Sequence, residues 1–581
     1  MDKHAVALVL EEIATLLEAS GSNRFKARAF RTAARAVEKV EGELGFTVAA
    51  GDLGEIRGIG PVTGRVIEEL VATGESAYHA ELRERAPSGM RELLRVPGLG
   101  AKKIVQLHTE LGIADLDALE DAARDGRVAG VRGFGELTQQ RILDGLAFAR
   151  SSTGRRRYHQ ALEAGDRIAG FIAALPGVQR AEIAGQLRRC DEIVDGIVIV
   201  AAVDGDVQQF ADALQHTPGL KWEGSAAGTV SGRLADGLTV ELRVTRPDSF
   251  GLALILATGS DAHIAALRTT AAERDFTIGD DALMTAAGPM AVPDEEAVYH
   301  ALGMQYVPPE LREYGDEVRQ ALHGGLPRLV ELSDLRGCFH CHTTYSDGKA
   351  SIQEMAEGAI AAGWRYLGIA DHSMNAGYAG GLTPARLRQQ HREIADWNER
   401  RGDELWLFSG TEADILRDGQ LDYGAASDSV LEQLDYVIGS VHSLFRMPRA
   451  EMTRRMRRAV ADPRLTMLGH ATGRLLLMRD GYDVDLNAVI ETAAANGAII
   501  EINADPHRLD MSWQHWPLAR QLGVRTAINP DAHSVQAMDK VRYGVGIARK
   551  AWLRAEDVLN TWSLEEVRHY LTERKPRGKE V

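Results

Sequence analysis

The sequence contains little cysteine, few aromatic residues and no long hydrophobic run. Its three cysteines, Cys190, Cys338 and Cys341, exclude a disulfide framework, and their spacing is not that of a zinc finger. No stretch offers the roughly 18 uncharged apolar residues of a membrane-spanning helix, and the opening residues Met1-Asp2-Lys3-His4 lack a signal-peptide pattern. We therefore expect a protein of the reducing cytoplasm with no membrane partner.

The chain is acidic, with a net charge of -16 over 581 residues. This balance argues against nucleic-acid binding over the whole surface, although a local basic patch can still contact phosphates. The length predicts about three to five domains, each large enough to bury a core.

Near the N-terminus, apolar residues recur at helical spacing over residues 4–20 and 24–40. Three later segments each present an apolar residue, then Gly-x-Gly, then a helical pattern. Paired glycines allow a tight hairpin whose exposed backbone N–H groups can bind a phosphate at the next helix N-terminus. Three such segments indicate helix-hairpin-helix elements that contact a DNA backbone without reading sequence, the alternative being ordinary glycine-containing helix caps. The residues assigned to this contact are Gly58, Gly60, Gly98, Gly100, Lys102, Lys103, Gly133 and Gly135.

The C-terminal third alternates short apolar strands with helical stretches. After a first strand near Cys338, strands are predicted over residues 366–370, 404–408, 436–440, 466–468, 498–502 and 525–528. This spacing is typical of βα units and predicts a barrel-like parallel sheet, in which functional groups gather at the C-terminal strand ends.

Every one of these seven strand ends carries metal-ligating residue types. His340 and His342 are two apart on the first strand, so their rings should project together while Phe339 and Cys341 point to the opposite layer. Asp347 follows in a loop close enough to supply an oxygen. The later strand ends offer Asp371 and His372, Glu412 and Asp414, His442, His470, Glu501 and Asn503, and Asp531 and His533. The pattern predicts a multinuclear metal site.

The order of parts along almost the whole chain resembles the bacterial family X DNA polymerases. The resemblance is carried by the three hairpins, by Gly185 with Arg188 and Arg189, by Thr258-Gly259-Ser260, and by the strand-end ligands. It implies a multidomain α+β and α/β protein: a helical helix-hairpin-helix N-terminal region, a nucleotidyltransferase palm and thumb, and a distorted (β/α)7 PHP barrel. The implied domains are 1–80 (N-terminal helical), 81–150 (hairpin fingers), 151–245 (palm), 246–315 (thumb), 316–336 (linker) and 337–575 (PHP).

For the PHP domain, the resemblance implies nine metal ligands. They are His340, His342, Asp347, His372, Glu412, His442, His470, Asp531 and His533. It also implies about three ions, Mn²⁺ or Zn²⁺, with Glu412 as a bridging carboxylate and with Glu412, Asp531 and His342 as catalytic residues for phosphoester hydrolysis. Neighbouring polar residues are assigned either to supporting or phosphate-contacting roles or to purely structural ones: Asp371, Asp414, Asn503, Arg474 and His507. Three histidines in helical surroundings are assigned as non-ligands: His391, His515 and His569.

The palm departs from the family pattern. The family places carboxylates two apart on one strand, because only that spacing lets them converge on two metal ions; here those positions are Gly196 and Val198. Asp195 is one residue early, and Glu241 occupies the third carboxylate position. The implied nucleotide site would comprise Gly185, Arg188, Arg189, Asp195, Glu241, Gly259 and Ser260, with Mg²⁺ or Mn²⁺ and a dNTP bound only if the palm polymerises.

Further departures cluster at the same site. Gln186, Leu256, Ala257 and Ile264 replace the family's Ser, Tyr, Phe and Asn, and Val66 stands where some relatives carry a Schiff-base lysine. A β-bulge at Gly196 would bring Asp195 back into line with Glu241.

Three functions are compatible with these patterns. The first is a monomeric DNA-repair phosphoesterase that processes 3′ ends of gapped or 3′-end-containing duplex at the PHP site, with a degenerate palm. The second is an active gap-filling polymerase that uses Asp195 and Glu241. The third is a DNA-binding scaffold in front of the hydrolase; a small-molecule phosphatase would leave three hairpins unexplained.

Overall fold

A computed structural model describes residues 1, 3–19, 24–38, 40, 44–84, 90–94, 96, 99–151, 154–214, 221–226, 228–234, 237–423 and 430–574. The chain divides into two compact units. The first comprises Met1–Arg156, Gln160–Ile183 and Val194–Pro247, and the second comprises Arg157–His159, Ala184–Ile193 and Asp248–Val581.

The helices, numbered along the chain, are α1 Lys3–Ala19, α2 Arg24–Glu38, α3 Leu44–Ala50, α4 Pro61–Thr73, α5 Ala77–Glu84, α6 Met90–Leu93, α7 Ala101–Leu111, α8 Leu116–Arg124, α9 Glu136–Ser151, α10 Tyr158–Ala173, α11 Gly185–Arg188, α12 Val207–Ala213, α13 Phe250–Thr258, α14 Asp261–Ala272, α15 Glu295–Ala301, α16 Asp316–Leu322, α17 Ile352–Ala361, α18 Pro384–Arg401, α19 Arg449–Val460, α20 Leu486–Asn496, α21 Trp516–Gln521, α22 Val541–Lys550 and α23 Leu564–Arg574. Among the described residues, none of these helices is long and apolar enough to cross a membrane.

The strands are β1 Arg156–Arg157, β2 Val178–Ala184, β3 Ile193–Val194, β4 Gly196–Val203, β5 Lys221–Ala226, β6 Thr229–Arg233, β7 Thr239–Thr245, β8 Thr277–Ile278, β9 Leu283–Thr285, β10 Gly288–Met290, β11 Gly337–Cys341, β12 Tyr366–Ile369, β13 Trp406–Asp414, β14 Tyr436–Ser440, β15 Met467–Leu468, β16 Ile499–Asn503 and β17 Thr526–Asn529.

The first unit joins a helical region to a mixed sheet. Apolar faces of α1 to α9 pack into one core, with Leu10, Phe30 and Ile67 buried at its centre. The sheet has the order β2-β4-β7-β6-β5, in which β4 and β7 run parallel. One strand was predicted over residues 192–200, but it is interrupted at Asp195: β3 ends at Val194 and pairs in a separate two-stranded sheet, and β4 begins at Gly196.

The second unit contains a helical subdomain with its own core, formed by α13 to α16 around a small antiparallel sheet of β8, β9 and β10. Its charged residues are buried in pairs. Glu295 contacts both Arg188 and Arg312, each at 2.6 Å, and the His263 ring lies 2.7 Å from a Glu317 oxygen. Burial of a charge is costly unless it is paired, so these contacts stabilise the packing of α15 against α11 and of α14 against α16.

The same unit contains a seven-stranded parallel sheet in the order β11 to β17, as the strand pattern predicted. A bridge between Cys341 and Ala532 joins its first and last strands, so the sheet is an almost closed barrel. Aromatic rings of Phe339, Tyr366 and Phe408 fill the interior, and Leu571 of α23 packs against them. The flanking helices cover the outside through a second, larger core.

Two details of the barrel differ from the prediction. The third strand does not end at residue 408 but continues to Asp414, because its first half pairs with β12 and its second half with β14. Phe339 lies in the barrel interior, whereas Cys341 belongs to the outer core. The expected alternation breaks at His340, whose φ of 57° coincides with a register shift in β11.

Candidate metal centre

The C-terminal ends of the barrel strands bring all nine predicted PHP ligands into one cluster. Their ligand atoms form four overlapping groups in which every atom lies within 4.8 Å of the others. The groups are His342, Asp347, His372 and His533; His340, Glu412 and His470; His340, His342 and Asp531; and His372, Glu412 and His442. Ligands separated by almost two hundred residues therefore converge because parallel strands all end at the same rim.

Glu412 is the centre of this cluster. It is buried on β13, and its two carboxylate oxygens lie 2.8 Å from His372 Nδ1 and 2.9 Å from His470 Nε2. The same carboxylate lies 3.2 Å from His442 Nε2 and 3.3 Å from His340 Nε2. Four imidazole nitrogens thus lie within 3.3 Å of the two oxygens of one buried carboxylate.

The cluster opens to solvent on the side of Asp347 and His533. The His533 Nε2 atom lies 3.3 Å from Asp347 Oδ1, and His372 Nε2 lies 3.6 Å from the same oxygen. Both Asp347 and His533 are about one third exposed, whereas His340, His342 and Glu412 are buried. A substrate can thus approach the cluster from this side.

The buried ring nitrogens fit a metal better than they fit each other. His340 Nε2 and both ring nitrogens of His342 form no hydrogen bond of acceptable geometry within the described part of the chain. Buried polar atoms are rarely left unsatisfied, and a mixed imidazole and carboxylate set suits Mn²⁺ or Zn²⁺. The residues present therefore fit the metal ions that a PHP domain requires.

Burial and neighbouring charge set the protonation of the ligands. Burial lowers the pKa of His342 to about 4, so its ring is neutral at pH 7. Burial would lower the pKa of His442 as well, but the carboxylates of Glu412 and Asp414 raise it to about 10. Despite burial, the surrounding imidazoles hold the pKa values of Glu412 and Asp531 well below their ordinary range. The carboxylates are thus anionic, as metal ligation requires.

Supporting residues orient several ligands. Glu501, buried on β16, lies 2.7 Å from His340 Nδ1 and also accepts a hydrogen bond from the His470 backbone. Asp414 lies 2.6 Å from His442 Nδ1, and Asn503 donates to Asp531 Oδ2. Such partners fix the ring tautomer and direction of a ligand. The sequence noted Glu501 at a strand end without assigning it this role, because only the fold brings it to His340.

The other predicted supporting residues have structural contacts. Asp371 accepts hydrogen bonds from the backbone and hydroxyl of Thr343 and from the Ser346 backbone, which holds the loop that carries Asp347. Arg474 pairs with Glu192 at 2.8 Å, and His507 with Asp505 at 2.9 Å. Among the described residues, neither Arg474 nor His507 forms a hydrogen bond or ion pair with one of the nine predicted ligands. The three predicted non-ligands, His391, His515 and His569, are absent from the four described groups.

Two further residues beside the cluster were not identified from the sequence. The Arg508 guanidinium lies 3.8 Å from Asp531 Oδ2 and forms no side-chain hydrogen bond among the described residues. The ring of Tyr378 lies 6.1 Å from the ring of His372 and 6.2 Å from that of His442, centroid to centroid. Arg508 and Tyr378 lie five and nine residues after the ends of β16 and β12, and no short motif includes them.

The N-terminal hairpins have the local geometry that the glycines predicted. Gly60 caps α4, with Pro61 as the first helical residue, and Gly100 caps α7. Gly58, Gly133 and Gly135 have φ values of 107°, 89° and 59°, which favour glycine. Lys102 is exposed at the start of α7, whereas Lys103 lies over the Phe134 ring at 5.5 Å. Gly98 lies outside the described residues.

Comparisons with known proteins agree with this architecture. Family models match a helix-hairpin-helix domain at residues 1–76, a SAM-like helix-hairpin-helix tandem at 90–147, a DNA polymerase beta thumb at 253–313 and a PHP domain at 339–505. The DNA polymerase/3′-5′ exonuclease PolX of Bacillus subtilis (strain 168) is 35% identical over 576 residues, which cover 98% of this chain and 99% of that protein. The chain belongs to the bacterial family X DNA polymerases with a PHP domain. The predicted family and fold class are confirmed.

In this family X polymerase, the palm strand that should carry two carboxylates carries none. Gly196 and Val198 occupy the positions, and Val198 pairs directly with Glu241 on β7. The pairing of β4 with β7 is continuous from Gly196 to Ala202, so the bulge considered at Gly196 is not formed. Asp195 precedes the strand, and its carboxylate lies 2.6 Å from Arg155. Glu241 lies 2.5 Å from Arg243, a cation that competes with any metal ion.

The predicted nucleotide-binding residues of the family X palm are also engaged by protein groups. Arg188 forms a two-pronged contact with Glu295, at 2.6 and 2.9 Å. Arg189 lies 2.8 Å from Glu313 and 3.1 Å from Asp191, and buried Lys550 contacts both of those carboxylates. Gly185 is buried at the start of α11.

Gly259 and Ser260 have structural roles as well. The Ser260 hydroxyl caps α14 by accepting a hydrogen bond from the His263 backbone, and it donates to the Glu313 carbonyl at 2.6 Å. A Cβ atom at Gly259 would approach His263 Cδ2 to 2.7 Å. Because Gly196 and Val198 offer no carboxylate, and Asp195 and Glu241 are each paired with an arginine, the residues present do not fit the palm metals implied by the family.

Proposed function

We propose that this chain is a DNA-repair phosphoesterase that removes nucleotides or blocking groups from 3′ ends at its PHP centre. The observation that carries the proposal is the convergence of nine imidazole and carboxylate ligands at one open barrel rim. A relative that spans the same length is named a DNA polymerase/3′-5′ exonuclease, which supports the same assignment.

DNA supplies the substrate in this proposal. Helix-hairpin-helix domains bind the phosphate backbone through helix N-termini, and glycine-capped α4 and α7 offer such N-termini. We infer contact with gapped or 3′-end-containing duplex without sequence preference, by a monomer that acts in the cytoplasm. The predicted division into five domains and a linker is retained as part of this proposal.

The metal centre is proposed to hold about three ions, Mn²⁺ or Zn²⁺, through the nine ligands. When bound, such ions polarise a phosphoryl oxygen and lower the pKa of water. The Glu412 carboxylate positions the four imidazoles that surround it. Asp414 orients His442, and Glu501 orients His340. Glu412, Asp531 and His342 are the proposed catalytic residues.

Arg508 can contact the phosphate itself. Its guanidinium is close to Asp531, and its donors form no side-chain hydrogen bond among the described residues. A guanidinium is well shaped to donate two hydrogen bonds to a phosphoryl group. We assign Arg508 to substrate phosphate, at the margin of the cluster.

The decisive experiment follows a labelled 3′ end with Mn²⁺ present, in the wild type and in His342→Ala. The wild type should shorten the strand and the variant should not, and metal analysis should find less bound metal in the variant. His569→Ala is the matched control, since that histidine is exposed and lies 3.4 Å from exposed Glu573, one helical turn away, rather than from a ligand. Unchanged nuclease activity in His342→Ala would reject the assignment.

Gap-filling synthesis is the alternative, and it is favoured by the relative's being a DNA polymerase/3′-5′ exonuclease. Primer extension on the same gapped duplex, with Asp195→Ala and Glu241→Ala, separates the two functions. If the wild type extends the primer and either substitution abolishes this, the palm is assigned as a metal-dependent polymerase site. Steeply salt-dependent DNA binding without nucleotide incorporation would instead indicate a DNA-binding front half.

A further inference from the structure

Tyr378 stands out among the large apolar side chains exposed on the barrel. About three quarters of its surface is accessible, yet its ring lies beside His372 and His442, both ligands of the centre. A single exposed aromatic residue is normally without meaning. An exposed ring beside two predicted metal ligands is different, because a substrate bound at the cluster lies within reach of it.

The backbone holds Tyr378 in this place. The residues before it are fixed from the neighbouring strand end, since the Met374 backbone donates to the Tyr423 hydroxyl at 3.0 Å and the Asn375 backbone donates to Asp422 at 2.8 Å. After it, the Gly381 backbone donates to the Ala376 carbonyl. A Cβ atom at Gly381 would lie 1.9 Å from the Ser373 carbonyl oxygen, so the loop closes tightly on itself.

This fixation matters for binding. A loop whose backbone is already ordered loses little conformational freedom when a partner covers its side chain, so the contact contributes more to affinity than one made by a mobile loop. The Tyr378 ring lies beside the His372 and His442 rings, and its hydroxyl forms no hydrogen bond among the described residues. The exposed face is apolar, flat and adjacent to the site of bond cleavage.

Arg508 defines the other side of the approach. It lies next to Asp531, whereas Tyr378 lies next to His372 and His442. A group that takes a phosphate and a group that takes a flat ring thus flank the same cluster. Each nucleotide of a DNA strand offers one phosphate for the first group and one flat base for the second.

We propose that Tyr378 is a substrate-binding residue on which the base of the 3′-terminal nucleotide stacks while its phosphate is hydrolysed. This inference rests on the proposed 3′-end hydrolysis and deepens it. It makes recognition depend on the presence of a base, whichever base it is, since every base has a flat face.

The first test compares two labelled oligonucleotides that differ only at the 3′ end, one ending in an ordinary nucleotide and one in an abasic tetrahydrofuran residue. Tyr378→Ala should lower kcat/KM for the ordinary end by about tenfold to a hundredfold, mostly through KM, and leave the abasic end within about twofold. Tyr378→Phe keeps the ring and should match the wild type. Tyr314→Ala, an exposed tyrosine that contacts Trp513, is the control.

An equal loss on both ends, or no loss on either, would overturn the role of Tyr378. Metal analysis of Tyr378→Ala should equal that of the wild type, which separates a lost base contact from a damaged centre. A second measurement does not need turnover: 2-aminopurine at the 3′ terminus should change fluorescence on binding to metal-free wild type but not to metal-free Tyr378→Ala. If the wild type removes no nucleotide, the proposed function fails, and the fluorescence result still decides whether Tyr378 stacks the base.

Discussion

The PHP rim and the palm contain the same kind of raw material, carboxylates and cationic side chains, but they use it in opposite ways. At the rim, Glu412 faces four imidazoles whose buried nitrogens have no better partner. In the palm, Glu241 faces Arg243, and the two positions that should carry carboxylates are Gly196 and Val198. Imidazoles can give up their protons and share a cation with the carboxylate they surround, whereas the guanidinium of an arginine stays charged and competes with the cation. Partners therefore distinguish the two regions more clearly than residue types do.

The largest effect should come from a matched pair of isosteric changes, Glu412→Gln and Glu241→Gln. Removing the central charge of the cluster should reduce 3′-end hydrolysis by about a thousandfold or more and release metal, because several ligands meet at that carboxylate. The palm change should leave hydrolysis unaltered. Both variants are assayed for nuclease activity, primer extension and metal content. Comparable hydrolysis in the two variants would remove the contrast between the regions.

The next effect concerns the support behind a ligand. Glu501→Gln weakens the acceptor for His340 Nδ1–H, and we expect metal affinity to fall by about tenfold to a hundredfold with the fold intact. Metal titration of the stripped protein measures this. Glu393→Gln is the control, since that residue contacts Tyr345 rather than a ligand. An unchanged metal affinity would show that Glu501 does not tune His340.

A smaller effect should appear in acid, in the ion-pair network that occupies the arginines of the palm motif. Burial opposes ionisation of Glu295, but Arg312 and Arg188 lower its pKa to about 2 from the ordinary 4.5. A lowered pKa stabilises the folded state above pH 4.5, and this contribution is lost as the pH falls towards 2. The thermal unfolding temperature of the wild type should therefore fall as the pH is lowered from 4.5 towards 2.

Glu295→Gln is the comparison for this acid effect. It should be less stable at pH 7 and should lose less stability between pH 5 and pH 2. Glu296→Gln, the neighbouring residue in the first turn of α15, is the control. If Glu295→Gln and the wild type lose the same stability between pH 5 and pH 2, the pairing of Glu295 with Arg188 and Arg312 does not cause the loss of stability in acid.

The smallest expected effect comes from restoring the two missing carboxylates of the palm strand. Introducing carboxylates with Gly196→Asp and Val198→Asp should not create primer extension, because Arg243 already neutralises Glu241, and Arg188 and Arg189 are held by Glu295 and Glu313. A Cβ atom at position 196 would also meet Thr239 Oγ1 at 2.3 Å, so we expect the variant to unfold at a lower temperature. Val198→Asp alone is the control, since it avoids that clash. Extension above the wild-type level by either variant would show that the palm lacks only these carboxylates.

Most of the barrel follows from local sequence patterns. The strand predicted over 436–440 is β14, Tyr436–Ser440, and the strands near 366, 499 and 526 begin within one residue of their predicted positions. Apolar runs between helical segments suffice for this, because a parallel strand is buried on both faces. The extension of β13 to Asp414 was missed, since residues 410–414 are polar enough to read as a loop until β14 pairs with them.

By itself, the sequence determined the residue types at every strand end, which a parallel barrel gathers at one rim, and the family resemblance selected the nine predicted ligands among them. It also determined that the palm strand lacks two carboxylates. Only the tertiary structure decided which group faces each of these residues: Glu501 behind His340, Tyr378 beside His442, and Glu295 in front of Arg188. These partners are tens to hundreds of residues apart along the chain, and no local spacing encodes a contact that folding alone creates.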